Sequence, residues 1–430
     1  MKRYIAVFLV IAMMFSLSAC FEVKDKDGMI MELGLMDMTE DEIDSSLGGA
    51  GGDYLFKLTE GLVKKIGKKE ADNFLISPLS IIYALSMTAN GADGTTRGEL
   101  LSALSEGEYT GEEENWDEIQ KNLNSYLRAY LNDVAAENGE EPLHLANSIW
   151  LKNSDSLKVE EGFLNTNGKF YGAGIFKSDF DAKAVKEINK WIEDNTGGTI
   201  KDMIKDLNER CIMMLINALA FDAKWAEPFD EYFVREGTFF GEKEENPQVE
   251  FLYGDCYGYY EYQDLMGFSK AYEGGKYAFV GLLPRDPETP IEECLEKLDG
   301  KSLREMFTAP QDKKVLYCIP KFSEESAMSL VETFQEMGVE TAFDGDRADF
   351  TKLGTYDGSN IYIGDILHNT YIEVTEQGTK AGAATVVMMA EGAMLEEEPP
   401  KEVYLNRPFI YMIMDMERNL PLFIGVIRNL

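Results

Sequence analysis

The sequence has few of the residues that metal sites and catalytic centres require. It contains only 2 histidines, and its 5 cysteines form no Cys-x-x-Cys pair. Zinc sites are usually built from such clusters, so we expect no metal site. The sequence also lacks a Gly-x-x-x-x-Gly-Lys phosphate loop and a Gly-x-Ser-x-Gly elbow. These absences argue against a P-loop nucleotide enzyme and an α/β-hydrolase.

Positive charge is scarce. The chain has 41 Lys and Arg against 77 Asp and Glu, which gives a formal net charge of −36. Such a surface repels phosphate, so we expect no nucleic-acid binding. A hydrophobic content of 45% supports a packed core, and 430 residues suit one large domain or two to three smaller ones. Cys211, Cys256, Cys294 and Cys318 lie far apart, which favours buried thiols over disulfides.

The N-terminus has the pattern of a secretion signal. Lys2 and Arg3 precede an apolar run over residues 5–17, which is too short for a comfortable membrane span. The run ends in Leu-Ser-Ala-Cys20, which resembles the bacterial lipobox. We therefore expect a lipoprotein signal peptide over residues 1–20, with Cys20 as a lipid anchor on the outer face of a membrane. The alternative is an ordinary signal peptide.

Residues 21–52 are expected to be an acidic tether rich in Gly and Ser, and residues 53–430 the folded domain. The mildly apolar residues 29–38 could instead lie against the domain. A first helix is indicated by apolar residues at helical spacing over 55–66. Ser77 is a natural N-cap for a second helix, with Pro78 at its first position. The apolar run 212–221 suits a strand buried on both faces.

The most informative segment is residues 373–390, where Glu376 is followed mostly by small uncharged residues, with Lys380 as the one charge up to Ala390. With the strand period of two, one face is uncharged throughout. It consists of Thr379, Ala381, Ala383, Thr385, Val387 and Met389. Such a segment suits both an exposed loop and a buried central strand. The plain alternative is an ordinary surface strand with small residues.

Several motifs resemble those of serpins, the serine protease inhibitors, and occur along the chain in the same order as in that family. Residues 376–385, Glu-Gln-Gly-Thr-Lys-Ala-Gly-Ala-Ala-Thr, are similar to the hinge of the serpin reactive-centre loop. Lys380 and Gly382 depart from the family pattern, but both lie on the outward face of the hinge. Further matching motifs occur at residues 73–81, 91–100, 145–151, 212–229, 407–414 and 421–427. The resemblance covers residues 53–430.

The resemblance implies an α+β serpin fold. Such a fold has a large central, mostly antiparallel sheet, surrounding helices, further sheets and an exposed reactive-centre loop. The hinge corresponds to Glu376, Gly378, Thr379, Ala381, Ala383, Ala384 and Thr385. A buried polar cluster beneath the parting strands, the shutter, corresponds to Ser77, Ser80, Asn217 and His368. The breach, at the top of the sheet, corresponds to Lys321, Glu376 and Trp225, with Lys321 and Glu376 as an ion pair.

Simpler interpretations of these residues are a helix cap at Ser77 and two unrelated surface charges at Lys321 and Glu376. A nucleophile–base pair of Ser77 and His368 is conceivable for a hydrolase. We prefer the cap because His368 follows an apolar, strand-like stretch at residues 362–367.

The mechanism implied by the resemblance is a trap, which is not enzymatic and needs no cofactor. The target serine protease attacks the loop and forms an acyl-enzyme. The cleaved loop then enters the sheet and distorts the protease's oxyanion hole and triad. A non-inhibitory serpin that acts as a carrier or chaperone is the alternative within the family. A surface adhesin or binding module would need no small-residue face.

The reactive bond is expected between the hinge and the motif that begins at Arg407. Counting from Gly378 gives Gly392–Ala393, whereas counting back from Arg407 gives a position near Glu397. We place the bond after Met394, with Ala393 as the second choice. The candidates for the reactive centre are therefore Gly392, Ala393, Met394 and Leu395.

The loop sequence also predicts the partners. No Lys or Arg occurs between Ala381 and Pro400. This excludes trypsin and thrombin and favours elastase-like or chymotrypsin-like proteases, because the residue before the cut sets the pocket preference. Several serpins bind heparin through a basic helix in the region that corresponds to residues 106–118. Here that region is acidic, so we expect no heparin site. We expect a monomer.

Overall fold

The structure, a computed structural model, describes residues 29–31, 50–105, 115–136, 142–207, 211–243, 247–379 and 399–430. Its α-helices within these ranges are α1 (Ala50–Lys69), α2 (Pro78–Ala89), α3 (Gly94–Ser105), α4 (Trp116–Ala136), α5 (Glu161–Tyr171), α6 (Ala182–Asn195), α7 (Ile291–Glu296), α8 (Gly300–Thr308) and α9 (Val331–Glu336). None of these described helices is both long and apolar enough to cross a membrane.

The strands of the same ranges are β1 (Met29–Met31), β2 (Phe74–Ile76), β3 (Leu143–Lys152), β4 (Leu157–Val159), β5 (Gly174–Ser178), β6 (Met213–Phe221), β7 (Ala223–Lys224), β8 (Val234–Thr238), β9 (Gln248–Tyr262), β10 (Leu265–Ala271), β11 (Tyr277–Pro284), β12 (Gln311–Pro320), β13 (Phe322–Ser329), β14 (Gly354–Tyr356), β15 (Leu367–Val374), β16 (Gly378–Thr379), β17 (Lys401–Tyr404), β18 (Phe409–Asp415) and β19 (Leu420–Ile427).

The central sheet consists of two halves joined along one chain segment. One half has the order β1-β5-β3-β6, and the other has the order β13-β15-β16-β7. Because β7 follows β6 after a single residue, the two strands carry the chain from one half into the other. Only β3 and β5 pair in parallel; the other pairs of this sheet are antiparallel.

A second sheet supplies much of the core. Its order is β17-β12-β9-β10-β11-β18-β19-β2, and β8 also pairs with β9. Every residue of β11, β18 and β19 is buried, and α2 packs on β19 and on β6. Helices and sheets together confirm the predicted α+β class. The serpin-like motifs at residues 145–151, 407–414 and 421–427 lie largely on β3, β18 and β19.

Some local predictions need correction. The strand expected to be buried on both faces is only half-buried over residues 213–215 and becomes buried from Ile216 onward. The apolar stretch 362–366 is not a strand, because β15 begins at Leu367. Helix α1 begins at Ala50, before the expected start of the domain at residue 53.

Part of the expected tether lies on the domain. Met29–Met31 form β1, which pairs antiparallel with the edge strand β5. This pairing gives hydrogen-bond partners to backbone groups that an edge strand otherwise exposes. The alternative that residues 29–38 lie against the domain therefore holds for these three residues.

The helix cap at Ser77 is present. The Ser77 side chain accepts a hydrogen bond from the Ser80 N–H, and Pro78 occupies the first helical position. Cys211, Cys256, Cys294 and Cys318 are free thiols, as expected, but only the last two are buried, whereas the first two are half-buried. Burial raises the pKa of all four thiols, which disfavours the reactive thiolate form.

Candidate functional site

The candidate site is the gap between β6 and β15 in the central sheet. At its top, β16 lies between β7 and β15, with Thr379 opposite both Ala223 and Val374. Below Thr379, β6 and β15 are neighbours, yet no strand pairing joins them within the described ranges. A strand that continued from Thr379 into this gap would run antiparallel to both neighbours, which is a favourable arrangement.

Thr379 faces inward, as its place on the uncharged face predicts. Its side chain is 1% exposed, and its hydroxyl is hydrogen-bonded to the hydroxyl of Tyr272 at 2.5 Å. The Tyr272 ring stacks on Trp225, with ring centroids 4.4 Å apart. Thr379, the first inward residue of the hinge, is therefore already buried in the sheet before any cleavage.

The turn that leads into β16 is held by its backbone. Thr375 donates its N–H to the Gly378 carbonyl at 2.9 Å. The Trp225 indole donates to the Thr375 carbonyl at 2.9 Å. The N–H groups of Trp225 and Phe229 donate to the carbonyls of Gln377 and Glu376 at 3.0 and 2.9 Å. Three successive carbonyls of the hinge are thus bound by residues 225–229.

The predicted ion pair at the breach is present. Lys321 Nζ lies 3.0 Å from Glu376 Oε2 and 2.9 Å from Glu250 Oε2. The pKa of the Glu376 carboxyl is lowered mainly by a hydrogen bond from the backbone N–H of the same residue, and further by the hydrogen bond from Lys321. All three side chains are partly exposed, so we expect each pair to contribute only about 0–1 kcal/mol.

Three of the four predicted shutter residues lie together. The Ser77 N–H donates to His368 Nε2 at 2.9 Å, and the Ser77 hydroxyl donates to the Leu422 carbonyl at 2.7 Å. Ser80 lies on the first turn of α2, beside this contact. Burial lowers the pKa of His368 to about 4, so the imidazole is neutral at pH 7 and can accept the Ser77 N–H.

This geometry does not support a serine hydrolase. In a nucleophile–base pair the serine hydroxyl donates to the imidazole. Here the Ser77 hydroxyl donates to a carbonyl instead, and both side chains are buried. The cap is the simpler explanation of Ser77, as the sequence indicated.

Asn217 belongs to a separate network on the other side of the gap. Its Nδ2 donates to Asn147 Oδ1 at 2.9 Å, and Asn147 Nδ2 donates to the Tyr171 carbonyl at 2.8 Å. No hydrogen bond between described residues links Asn217 to His368. The expected single cluster is therefore two sets of polar contacts, one on β6 and one on β15.

Several expected functional residues lie outside the described ranges. They are the anchor Cys20, the hinge residues Ala381, Ala383, Ala384 and Thr385, and the reactive-centre candidates Gly392, Ala393, Met394 and Leu395. Their roles remain predictions. Among the residues that are described, no group of His, Cys, Asp and Glu could hold a metal ion.

Tyr272, Phe229, Glu250 and Asn147 contribute to the site but were not identified from the sequence. Asn147 and Phe229 lie in motifs that resemble those of serpins, but the partners of all four residues are distant in the chain, so local spacing did not indicate their contacts. For Tyr272 the only signal was a position beside a strand that is rich in apolar residues.

Comparisons with known proteins agree with this geometry. The family profile described as serpin (serine protease inhibitor) matches residues 55–430. An uncharacterised serpin-like protein of Thermococcus kodakarensis is 30% identical over 83% of this chain and 81% of its own length. Alpha-1-antichymotrypsin of Homo sapiens is 30% identical, with 90% of this chain and 89% of that protein covered. The native state of the thermophilic serpin tengpin has a TM-score of 0.79 and 35% identity, covering 91% of this chain and 96% of tengpin.

Proposed function

This chain belongs to the serpin family, and from that premise we propose that it traps serine proteases as covalent acyl-enzymes. After cleavage of the loop, the segment that follows Thr379 enters the gap between β6 and β15. The observation that carries this proposal is the position of β16 between β7 and β15. Thr379 is already paired with both neighbouring strands, Gly378 is paired with β7, and no strand pairing joins β6 and β15 below them in the part of the chain that the structure describes.

The energy for trapping comes from the new strand. Thr379 is already buried, so insertion would bury the five inward side chains that follow it, which at about 1–2 kcal/mol each contribute roughly 5–10 kcal/mol. Backbone hydrogen bonds to the two neighbouring strands add roughly 1 kcal/mol apiece. This total is similar to the whole stability of a typical domain, about 5–15 kcal/mol. The intact chain is then held kinetically in a less stable state.

The lack of Lys and Arg between Ala381 and Pro400 supports a preference for proteases with apolar pockets. Ala393, Met394 and Leu395 are small or medium apolar residues, which suit elastase-like pockets, and Met and Leu also suit chymotrypsin-like ones. One relative carries antichymotrypsin in its name, which is in line with a target of this class. We place the cut after Met394.

The test is to mix the intact protein with elastase, chymotrypsin or trypsin and to analyse the products on SDS gels. We expect a band at the summed mass for elastase or chymotrypsin, because the acyl bond survives denaturation. Mass spectrometry of the small released fragment locates the cut, and a fragment that begins at Leu395 supports Met394. Cleavage without a covalent band for both apolar-specific enzymes contradicts inhibition. Efficient trapping of trypsin contradicts the proposed specificity.

We also propose that residue 20 anchors the chain by a lipid on the outer face of a membrane. The sequence Leu-Ser-Ala-Cys20 after the apolar run is the support. In a bacterial expression host, the protein should partition into the detergent phase of Triton X-114. A Cys20→Ala variant should not carry the lipid and should partition into the aqueous phase. Equal partitioning of both proteins contradicts the anchor.

A further inference from the structure

Lys270, at the end of β10, makes contacts that differ from those of a surface lysine. Its Nζ lies 4.3 Å from the centroid of the Phe229 ring and 5.5 Å from that of Trp225. The same nitrogen donates to the Glu227 carbonyl at 2.8 Å. Burial lowers the pKa of this ammonium to about 8. One cation therefore contacts three residues of the segment 225–229.

Residues 225–229 are the same residues that bind the hinge. Their N–H groups and the Trp225 indole hold the three carbonyls of residues 375–377. Trp225 and Phe229 are also buried, so their rings cannot shift without disturbing this backbone. The contacts thus run from Lys270 through residues 225–229 to the turn that precedes Thr379.

We propose that Lys270 is a positioning residue for loop insertion: it fixes residues 225–229, and these fix the turn from which the cleaved loop starts to pair. The proposal rests on the proposed function, because positioning matters only if the loop inserts. Trapping is a race between insertion and deacylation of the acyl-enzyme. A preformed turn shortens the first step of insertion, since its residues need not be ordered after cleavage.

The positive charge of Lys270 is central to this role. A cation over aromatic faces is attracted by the ring quadrupole, whereas a neutral amine is not. Lys270 is faced by the charge of Glu227 and by the Cys256 thiol. Burial raises the pKa of that thiol to about 12. Tyr317, which packs on Phe229, also has its pKa raised by burial. Of the lysine, the thiol and the phenol, only the lysine changes its charge between pH 7 and 9.

Two substitutions separate charge from shape. Lys270→Met keeps a long side chain but removes the cation, and Lys270→Arg retains a cation that stacks well on aromatic rings. Lys169→Met is the matched control, because Lys169 also lies over a ring, that of Phe170, at 5.5 Å, but on α5. All variants are made in the full chain.

The first measurement is amide hydrogen exchange of the intact proteins, followed by mass spectrometry. In Lys270→Met, peptides that cover residues 225–229 and 375–379 should exchange about ten-fold faster than in the wild type, as expected for a partly desolvated cation–π contact. Lys270→Arg and Lys169→Met should exchange at the wild-type rate. Unchanged exchange in Lys270→Met overturns the proposal, whether or not any protease is trapped.

The second measurement is the ratio of cleaved to trapped protein with chymotrypsin. It should rise about ten-fold for Lys270→Met and remain unchanged for Lys270→Arg and Lys169→Met. The wild-type ratio of cleaved to trapped protein should rise from pH 7 to 9. The ratio of Lys270→Arg should change with pH only as far as the activity of the protease itself changes. If Lys270→Arg behaves as Lys270→Met, the charge is not the cause and the proposal is wrong. If the wild type traps no protease, the proposed function fails and the exchange measurement alone decides on Lys270.

Discussion

A Thr379→Arg variant places a charge where the loop enters the sheet. Thr379 is 1% exposed and its hydroxyl is bonded to Tyr272. Burying an unpaired guanidinium costs about 3–5 kcal/mol, and leaving the Tyr272 hydroxyl without its partner costs about 1–3 kcal/mol. Because Thr379 is already buried in the intact chain, these terms, about 4–8 kcal/mol together, displace residue 379 from its place between β7 and β15 before cleavage and oppose its return on insertion. The preformed start of the inserted strand is thereby lost.

The assay is trapping of chymotrypsin on SDS gels, followed by titration of the remaining protease activity. We expect Thr379→Arg to be cleaved in the loop without a covalent band, because deacylation wins when insertion cannot start. Thr355→Arg is the matched control, since Thr355 lies exposed on β14. It introduces the same charge away from the gap and should trap as the wild type does.

One result would refute the reasoning. If Thr379→Arg traps protease at the same stoichiometry as Thr355→Arg, then β16 is not the start of the inserted strand. The inward orientation of Thr379 would then have no part in the mechanism.

Three further predictions concern the contacts around the gap. The pKa of His368 falls from 6.5 to about 4 on burial. The stability that this neutral imidazole contributes is therefore fully present above pH 6.5. It should fall by about 3 kcal/mol toward pH 4, and urea unfolding of His368→Gln should lack that loss. Lys321→Met breaks the partly exposed pairs with Glu376 and Glu250 and should lower the free energy of unfolding by no more than about 2 kcal/mol; a loss above 3 kcal/mol contradicts this. Asn217→Ala leaves Asn147 Oδ1 without its donor, and urea unfolding should show a loss of about 1–3 kcal/mol; unchanged stability contradicts the network.

The sequence predicted the features that depend on local order. Motif order identified the family and the α+β class, and the period of two placed Thr379 on the inward face. Ser77 and Pro78 marked the start of α2, because capping depends on neighbouring residues. The cap and the inward face depend only on residues that are close together in the chain, whereas the family was identified from several such short motifs in order.

Features that depend on distant pairing were not predicted. Lys270 and Trp225 meet because the bridge between Trp225 and Tyr272 brings two segments together, and no spacing in the sequence indicates that contact. The separation of Asn217 from His368 likewise depends on the gap between β6 and β15. The position of β1 on β5 depends on an available edge strand rather than on the composition of residues 29–31.

The central claim is that the cleaved loop becomes a strand of the central sheet. Its most direct test compares thermal unfolding of the intact protein with that of the protein cut in the loop by thermolysin. This metalloprotease cleaves by a metal-activated water and forms no acyl-enzyme, so insertion is measured without trapping.

Insertion worth about 10 kcal/mol should raise the thermal midpoint by at least about 10 °C for a domain of this size. The cut protein should also fail to trap chymotrypsin. An unchanged or lower midpoint after complete cleavage between residues 380 and 398 would contradict insertion, and with it the proposed mechanism.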